Sequence, residues 1–253
     1  MFTLRKVYFT IFPICIACIA AIALHAQNQP PTPKKVLDDM INKLGGQAFM
    51  DVTDIHTTGN FYQFKRGELT GGDYYIDYIR FPMMERTEFG RTKNKEITIN
   101  KDDKGWKITP KDKDPKEQLP AEVREFKASF KTSFDYILRF TLAEPKTTIQ
   151  VTGTEIVDFN RADVVEIRDP EKNRIVLYVD RTTKLPVKLL VRRTDEKVTH
   201  EERYGNWHSF QGIMTPLFVA RYTDNDKTQE VRVDSATYNS NLPDNLFTTN
   251  KTK

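Results

Sequence analysis

The spacing of turns most limits the folds open to this chain. Beyond Asp54, strand-like runs follow one another, each bounded by Gly, Asp, Asn or Pro. IHTTGNFYQFKRG, DYYIDYIRFP, ERTEFG and KEITIN come first, and TTIQVTGTEIV, ADVVEIRDP, RIVLYVDRTT, PVKLLVRRT, THEERYGNWHSF, MTPLFVARYT and QEVRVDSATY follow. In the second set turn signals recur about every 10 to 15 residues, which leaves no room for a crossover helix between successive strands. A parallel βαβ architecture is therefore disfavoured. The runs predict a mainly β (α+β) fold with roughly eleven strands in a single curved antiparallel sheet or partial barrel.

Two stretches depart from this pattern. From Lys34, the residues Val36, Leu37, Met40, Ile41 and Leu44 recur at helical spacing, and Gly45-Gly46 supplies the residue type that ends a helix in a left-handed conformation. Between Ala121 and Phe140, Val123, Phe126, Phe130, Phe134 and Ile137 form an aromatic helical face. Thr132-Ser133 can divide that region, because either hydroxyl can cap a new helix. Just before it, Asp102 to Gly105 reads as a turn into Trp106-Lys107-Ile108, and Thr109 to Pro120 as a charged surface loop.

The N-terminus reads as an export signal. Arg5 and Lys6 precede a run from Val7 to Leu24 without a charged side chain, and Leu24-His25-Ala26 is a usable cleavage site. The expectation is a signal peptide over residues 1–26, a flexible proline-rich linker over 27–34 and one folded domain over 35–250, in an exported, periplasmic protein. An uncleaved membrane anchor and a lipoprotein signal at Cys18 are the minor alternatives. Removing 26 of 253 residues leaves 227, enough for one sizeable core. Cys15 and Cys18 both lie in the leader, so that core would form without disulfides. Arg5 and Lys6 leave too, so 39 basic residues become 37 against 35 acidic ones, and no concentrated basic face points to nucleic acid.

The residues carry no catalytic signature. His56, His200 and His208 lie in strand-like sequence, and there is no H-E-x-x-H, no G-x-S-x-G and no phosphate loop. Asp102-Asp103 and Asp224-Asn225-Asp226 fit hairpin turns, and the second lacks the Gly and distant Glu of a calcium loop. No metal, cofactor or catalytic residue is expected. What stands out is the aromatic load. Adjacent aromatics in the first two strands put rings on both faces of the sheet, and one face can pack against the central helix. An apolar ligand cavity between sheet and helix would be lined by Phe61, Tyr74, Ile76, Tyr78, Met83, Phe89, Trp106, Phe126, Phe130 and Phe134.

The pattern resembles the periplasmic outer-membrane lipoprotein carriers and lipoprotein-sorting proteins, the LolA/LolB-like family. The resemblance rests on VLDDMINKLGG at Val36 to Gly46, IHTTGNF with its central Gly, and GWKITP at Gly105 to Pro110 with the helix-rich stretch to Phe140. It continues in LYVDRTTKLPVKLL at Leu177 to Leu190, SFQGIMTPLFV, and NLPDNLF at Asn241 to Phe247. It implies an open half-barrel over residues 35–250 with helices across its mouth, whose concave apolar face holds acyl chains. The expected function is a non-enzymatic carrier of lipid or lipoprotein. Its partners would be acyl chains, with an envelope protein partner allowed and membrane contact at most transient. The alternative is a structural or interaction module whose half-barrel is filled by its own side chains.

Overall fold

The structure is a computed structural model that describes residues 31–92, 95–112 and 114–249. The leader through Ala26, and the linker as far as residue 30, lie outside the described residues. Helix α1 runs Pro33–Leu44, with proline at its first position and the Thr32 hydroxyl accepting from the Lys35 amide at 3.3 Å. Pro33 and Lys34, read as linker, are thus helical, because a cap and a proline start the helix ahead of its apolar stripe. Gly45 and Gly46 end it at φ 134° and 60°, and the Gly46 amide donates to Ile41 O at 2.8 Å. A single turn, α2, follows at Gln47–Met50.

The first set of strands is β1 Asp54–Lys65, β2 Glu68–Arg80, β3 Met84–Phe89, β4 Glu96–Lys101, β5 Lys104–Ile108 and β6 Lys116–Glu117. Two helices come next, α3 Pro120–Lys131 and α4 Phe134–Arg139. They part where the sequence predicts, with Ser133 Oγ accepting from the Tyr136 amide at 3.4 Å. The second set is β7 Thr148–Val157, β8 Asn160–Arg168, β9 Arg174–Asp180, β10 Pro186–Arg192, β11 His200–Phe210, β12 Ile213–Thr223 and β13 Asp226–Tyr238.

Among the described residues all thirteen strands form one open antiparallel sheet, ordered β6-β5-β4-β3-β2-β1-β13-β12-β11-β10-β9-β8-β7. The chain starts in the middle, steps outward to β6, crosses through α3 and α4 to the far edge at β7, and steps back until β13 meets β1. The excess over eleven strands is β5, which joins the end of the turn to the Trp106-Lys107-Ile108 segment it leads into, and the two-residue β6, inside a stretch read as loop. Lys116 and Glu117 carry no strand pattern, and their pairing with Lys107 and Trp106 decides the matter.

At the seam, β1 carries a bulge between Thr58 and Gly59. A Cβ on Gly59 would lie 2.0 Å from the Arg232 carbonyl oxygen and 3.0 Å from the Tyr75 ring, so only glycine fits. Bulges add twist and bend a strand, which suits the place where the two sets of strands meet.

The main core lies on the inner face of the second set. Val165, Ile167, Ile175, Leu177 and Val179 of β8 and β9 pack in one cluster with Val36, Leu37, Met40 and Leu44 of α1, Phe49 of α2, and Phe134, Ile137 and Leu138 of α4. Hairpin chemistry follows the sequence. Asp180 Oδ1 accepts from the amides of Thr182 (2.8 Å) and Thr183 (2.6 Å), which explains the D-x-x-T turn. The C-terminal NLPDNLF segment is tied down by the Asp54 carboxylate, which accepts from the Ser240 and Asn241 amides, and its Phe247 is buried beneath the Arg80 guanidinium.

Candidate functional site

A cavity of about 840 Å³ lies under α3, against the inner faces of β1–β3 and β10–β13. Pairing register decides which residues face it. On β1 and β2 the inward pairs are Ile55 with Ile79, Thr57 with Asp77 and Gly59 with Tyr75; β3 adds Glu85, Thr87 and Phe89. Across the seam, Phe61 sits opposite Val231, which pairs with Val219 of β12. The roof comes from α3 and α4: Phe126, Phe130 and Phe134 line the space, and Phe130 packs on Phe126 with ring centroids 5.4 Å apart. Helix α3 is fastened at its flanks. Lys107 holds Glu122 at 2.7 Å, Arg193 holds Glu125 at 2.7 Å, and Lys127 holds Asp103.

Of the ten residues expected at this cavity, Phe61, Phe89, Phe126, Phe130 and Phe134 are among those lining it. Tyr74, Ile76, Tyr78, Met83 and Trp106 are not. Tyr78 pairs with His56 on the outer face, where the rings stack 4.6 Å apart at 4°. Tyr74 and Ile76 share that face by pairing with Asn60 and Thr58. Trp106 is paired with Ile99, itself opposite Arg86, whose guanidinium reaches Leu246 O of the outer C-terminal segment at 3.2 Å. Met83 lies in the turn before β3. The inward places on β2 belong to Tyr75, Asp77 and Ile79. Because DYYIDYIR carries rings at both parities, composition cannot tell inside from outside, and a slip of one residue exchanges the faces.

The cavity is less apolar than expected. Asp77 and Glu85 are diagonal neighbours on its β2–β3 wall, and Thr87 Oγ1 donates to Asp77 Oδ1 at 3.0 Å. On the opposite wall Arg221 donates to Glu202 at 2.7 Å and to Gln229 at 3.3 Å, and the Tyr204 hydroxyl donates to the other Glu202 oxygen at 2.7 Å. Arg221 is enclosed by protein yet keeps 46% of its side chain accessible, because it borders the cavity rather than packed neighbours. Burial pushes both Asp77 and Glu85 above the ordinary carboxylate range. For Glu85 the nearby Asp77 charge adds to burial, and Arg221 works against it. Burial also raises the Tyr75 and Tyr204 phenols, and the Tyr238 phenol is pushed up to about 12.

His200 reaches the rim and shares a 2.7 Å contact with Glu196, which also holds Arg193. Among the described residues no three His, Cys, Asp or Glu side chains are grouped to hold a metal ion, and no helix is long and apolar enough to cross a membrane. The space suits shelter of a largely apolar molecule with one polar end.

An open antiparallel sheet rolled around a helix-roofed cavity defines the class by fold. No family model matches the chain, and no curated protein matches its sequence. Solved structures do match. A DUF1329 family protein from Desulfovibrio piger has a TM-score of 0.58 at 14% identity, covering 85% of this chain and 97% of its own. A LolA superfamily protein from Nitrosomonas europaea gives 0.57 at 13%, covering 87% and 98%. A domain from Vibrio parahaemolyticus named for outer membrane lipoprotein sorting gives 0.54 at 13%, covering 85% and 97%. At these identities the likeness is one of fold, and the fold is the LolA-like one that the hairpin motifs imply.

Proposed function

We propose that the protein is an exported, periplasmic carrier that shields the acyl chains of a lipid or lipoprotein and performs no catalysis. The observation that carries this reading is the cavity of about 840 Å³ lined by Phe61, Phe89, Phe126, Phe130 and Phe134. That volume lies in the range of ligand sites, roughly 300–1,000 Å³, and a half-barrel filled by its own side chains would leave no such space. Each methylene sheltered there contributes about 0.8 kcal/mol, so one acyl chain supplies a large driving force without any chemical step. The domain begins with α1, and the segment before it acts as signal peptide and tether. The folds of the LolA superfamily protein and the lipoprotein-sorting domain support the reading by analogy.

The test is native mass spectrometry of the protein from its own envelope, followed by uptake measurements on the delipidated form. A copurified lipid or lipopeptide mass, and uptake of a triacylated peptide, are the expected results. Delipidated protein that takes up neither that peptide nor a fluorescent fatty acid would refute the carrier reading.

A further inference from the structure

The acids of the cavity are unevenly compensated. Among the described residues six line it, and four of these hold an arginine: Glu125 with Arg193 (2.7 Å), Asp135 with Arg139, Glu201 with Arg203 (2.5 Å) and Glu202 with Arg221 (2.7 Å). Asp77 and Glu85 hold none. Asp77 accepts from the Thr87 hydroxyl and the Tyr78 amide, whereas the Glu85 carboxyl has no hydrogen bond among the described residues. The one arginine near both, Arg221, is already engaged by Glu202 and Gln229. The two carboxyls therefore face the cavity without a basic partner of their own, and ionising them there costs free energy until a cation arrives.

Apolar surface adjoins them on the same wall. Phe89 lies on the inner face of β3 beyond Glu85 and Thr87, its ring 5.1 Å from that of Phe61, and Phe126 and Phe130 hang from α3 above. A ligand seated here meets rings along its chain and an acidic pair at one end. Resting on the carrier reading, we propose that Asp77 and Glu85 form a headgroup site, and that the cavity takes an acylated molecule whose polar end carries an ammonium group. The ammonium donates to Glu85 and to the free lone pairs of Asp77, and replaces the arginine that this pair lacks.

Three twelve-carbon amphiphiles test this: dodecylamine, dodecanol and dodecanoate. Each competes with N-phenyl-1-naphthylamine for the delipidated protein at neutral pH. The amine is expected to bind at least tenfold more tightly than the carboxylate and several-fold more tightly than the alcohol. Glu85→Gln should collapse the amine-to-alcohol ratio towards one, and Asp77→Asn with Glu85→Gln should abolish it. Circular dichroism establishes folding, and the single variant suffices if the double one misfolds. If the three ligands bind equally, or the ratio survives Glu85→Gln, the headgroup site is refuted and the carrier reading stands. If neither the dye nor any amphiphile binds, both fall.

Discussion

The inner faces of β8–β9 and of β2–β3 belong to one sheet and follow the same alternation, yet one is closed and the other hollow. On β8 and β9 the inward residues are aliphatic, from Val165 at 0% exposure to Leu177 at 1%, and α1 meets them with Val36, Leu37, Met40 and Leu44. Such surfaces interdigitate to crystal-like density and exclude water. On β2 and β3 the inward residues are Tyr75, Asp77, Ile79, Glu85, Thr87 and Phe89, and α3 offers Glu125 and Ser129 beside Phe126 and Phe130. Carboxyls cannot be packed dry against rings, so this wall and its roof stay apart. The β8–β9 side of the sheet holds the fold together, and the stretch from β3 across the seam is left with room for a guest.

The comparison breaks most readily at the closed end. Leu177→Ala is expected to lower the free energy of unfolding by about 2–5 kcal/mol in urea titration, because Leu177 is fully buried and its neighbours cannot collapse onto the gap. A cost below about 1 kcal/mol would mean that the closed end is not close-packed. Phe126→Ala, at the hollow end, should instead cut the affinity for an acyl-chain probe roughly tenfold, about 1.4 kcal/mol, with less effect on unfolding. Equal stability losses at the two sites would erase the distinction.

The acidic wall adds a pH signature. Glu85 keeps its proton more tightly in the folded protein than in the unfolded chain, through burial and the facing Asp77, against the pull of Arg221. Stability from this group is therefore full at low pH, and it is lost as pH rises above the unfolded carboxylate range until the folded carboxyl also ionises. Glu85→Gln should shrink the stability difference between about pH 5 and about pH 8 by roughly 1 kcal/mol. An unchanged profile would place the carboxyl in open water. The smallest effect is expected at Tyr74, on the outer face beneath the Arg91 guanidinium. Tyr74→Ala should leave probe affinity unchanged and shift stability by about 0.5 kcal/mol or less.

Most of the fold was legible because its signals are local. The turn residues Asp102 and Asp224 adopt positive φ in hairpin turns where the sequence places them, and Ser133 divides the helices. The site was half legible. Phe126, Phe130 and Phe134 follow from helical spacing, but the inward parity of β2 depends on pairing with β1, and both parities carry aromatics. Asp77 was the available clue: it stands two residues from Tyr75 and two from Ile79, an acid between two apolar residues of one face. Its companions Glu202 and Arg221 lie far off in sequence and join it only because β13 returns to β1. No local pattern records that closure.

The most direct test of the central claim is to fill the hollow end without touching its charges. Val231→Phe with Val233→Phe places two rings on the cavity floor opposite Phe126 and Phe130. Binding of N-phenyl-1-naphthylamine to the delipidated double variant should be lost while the urea midpoint stays close to that of the parent. A folded variant that binds the dye as tightly as the parent would show that the cavity is not where apolar ligands go.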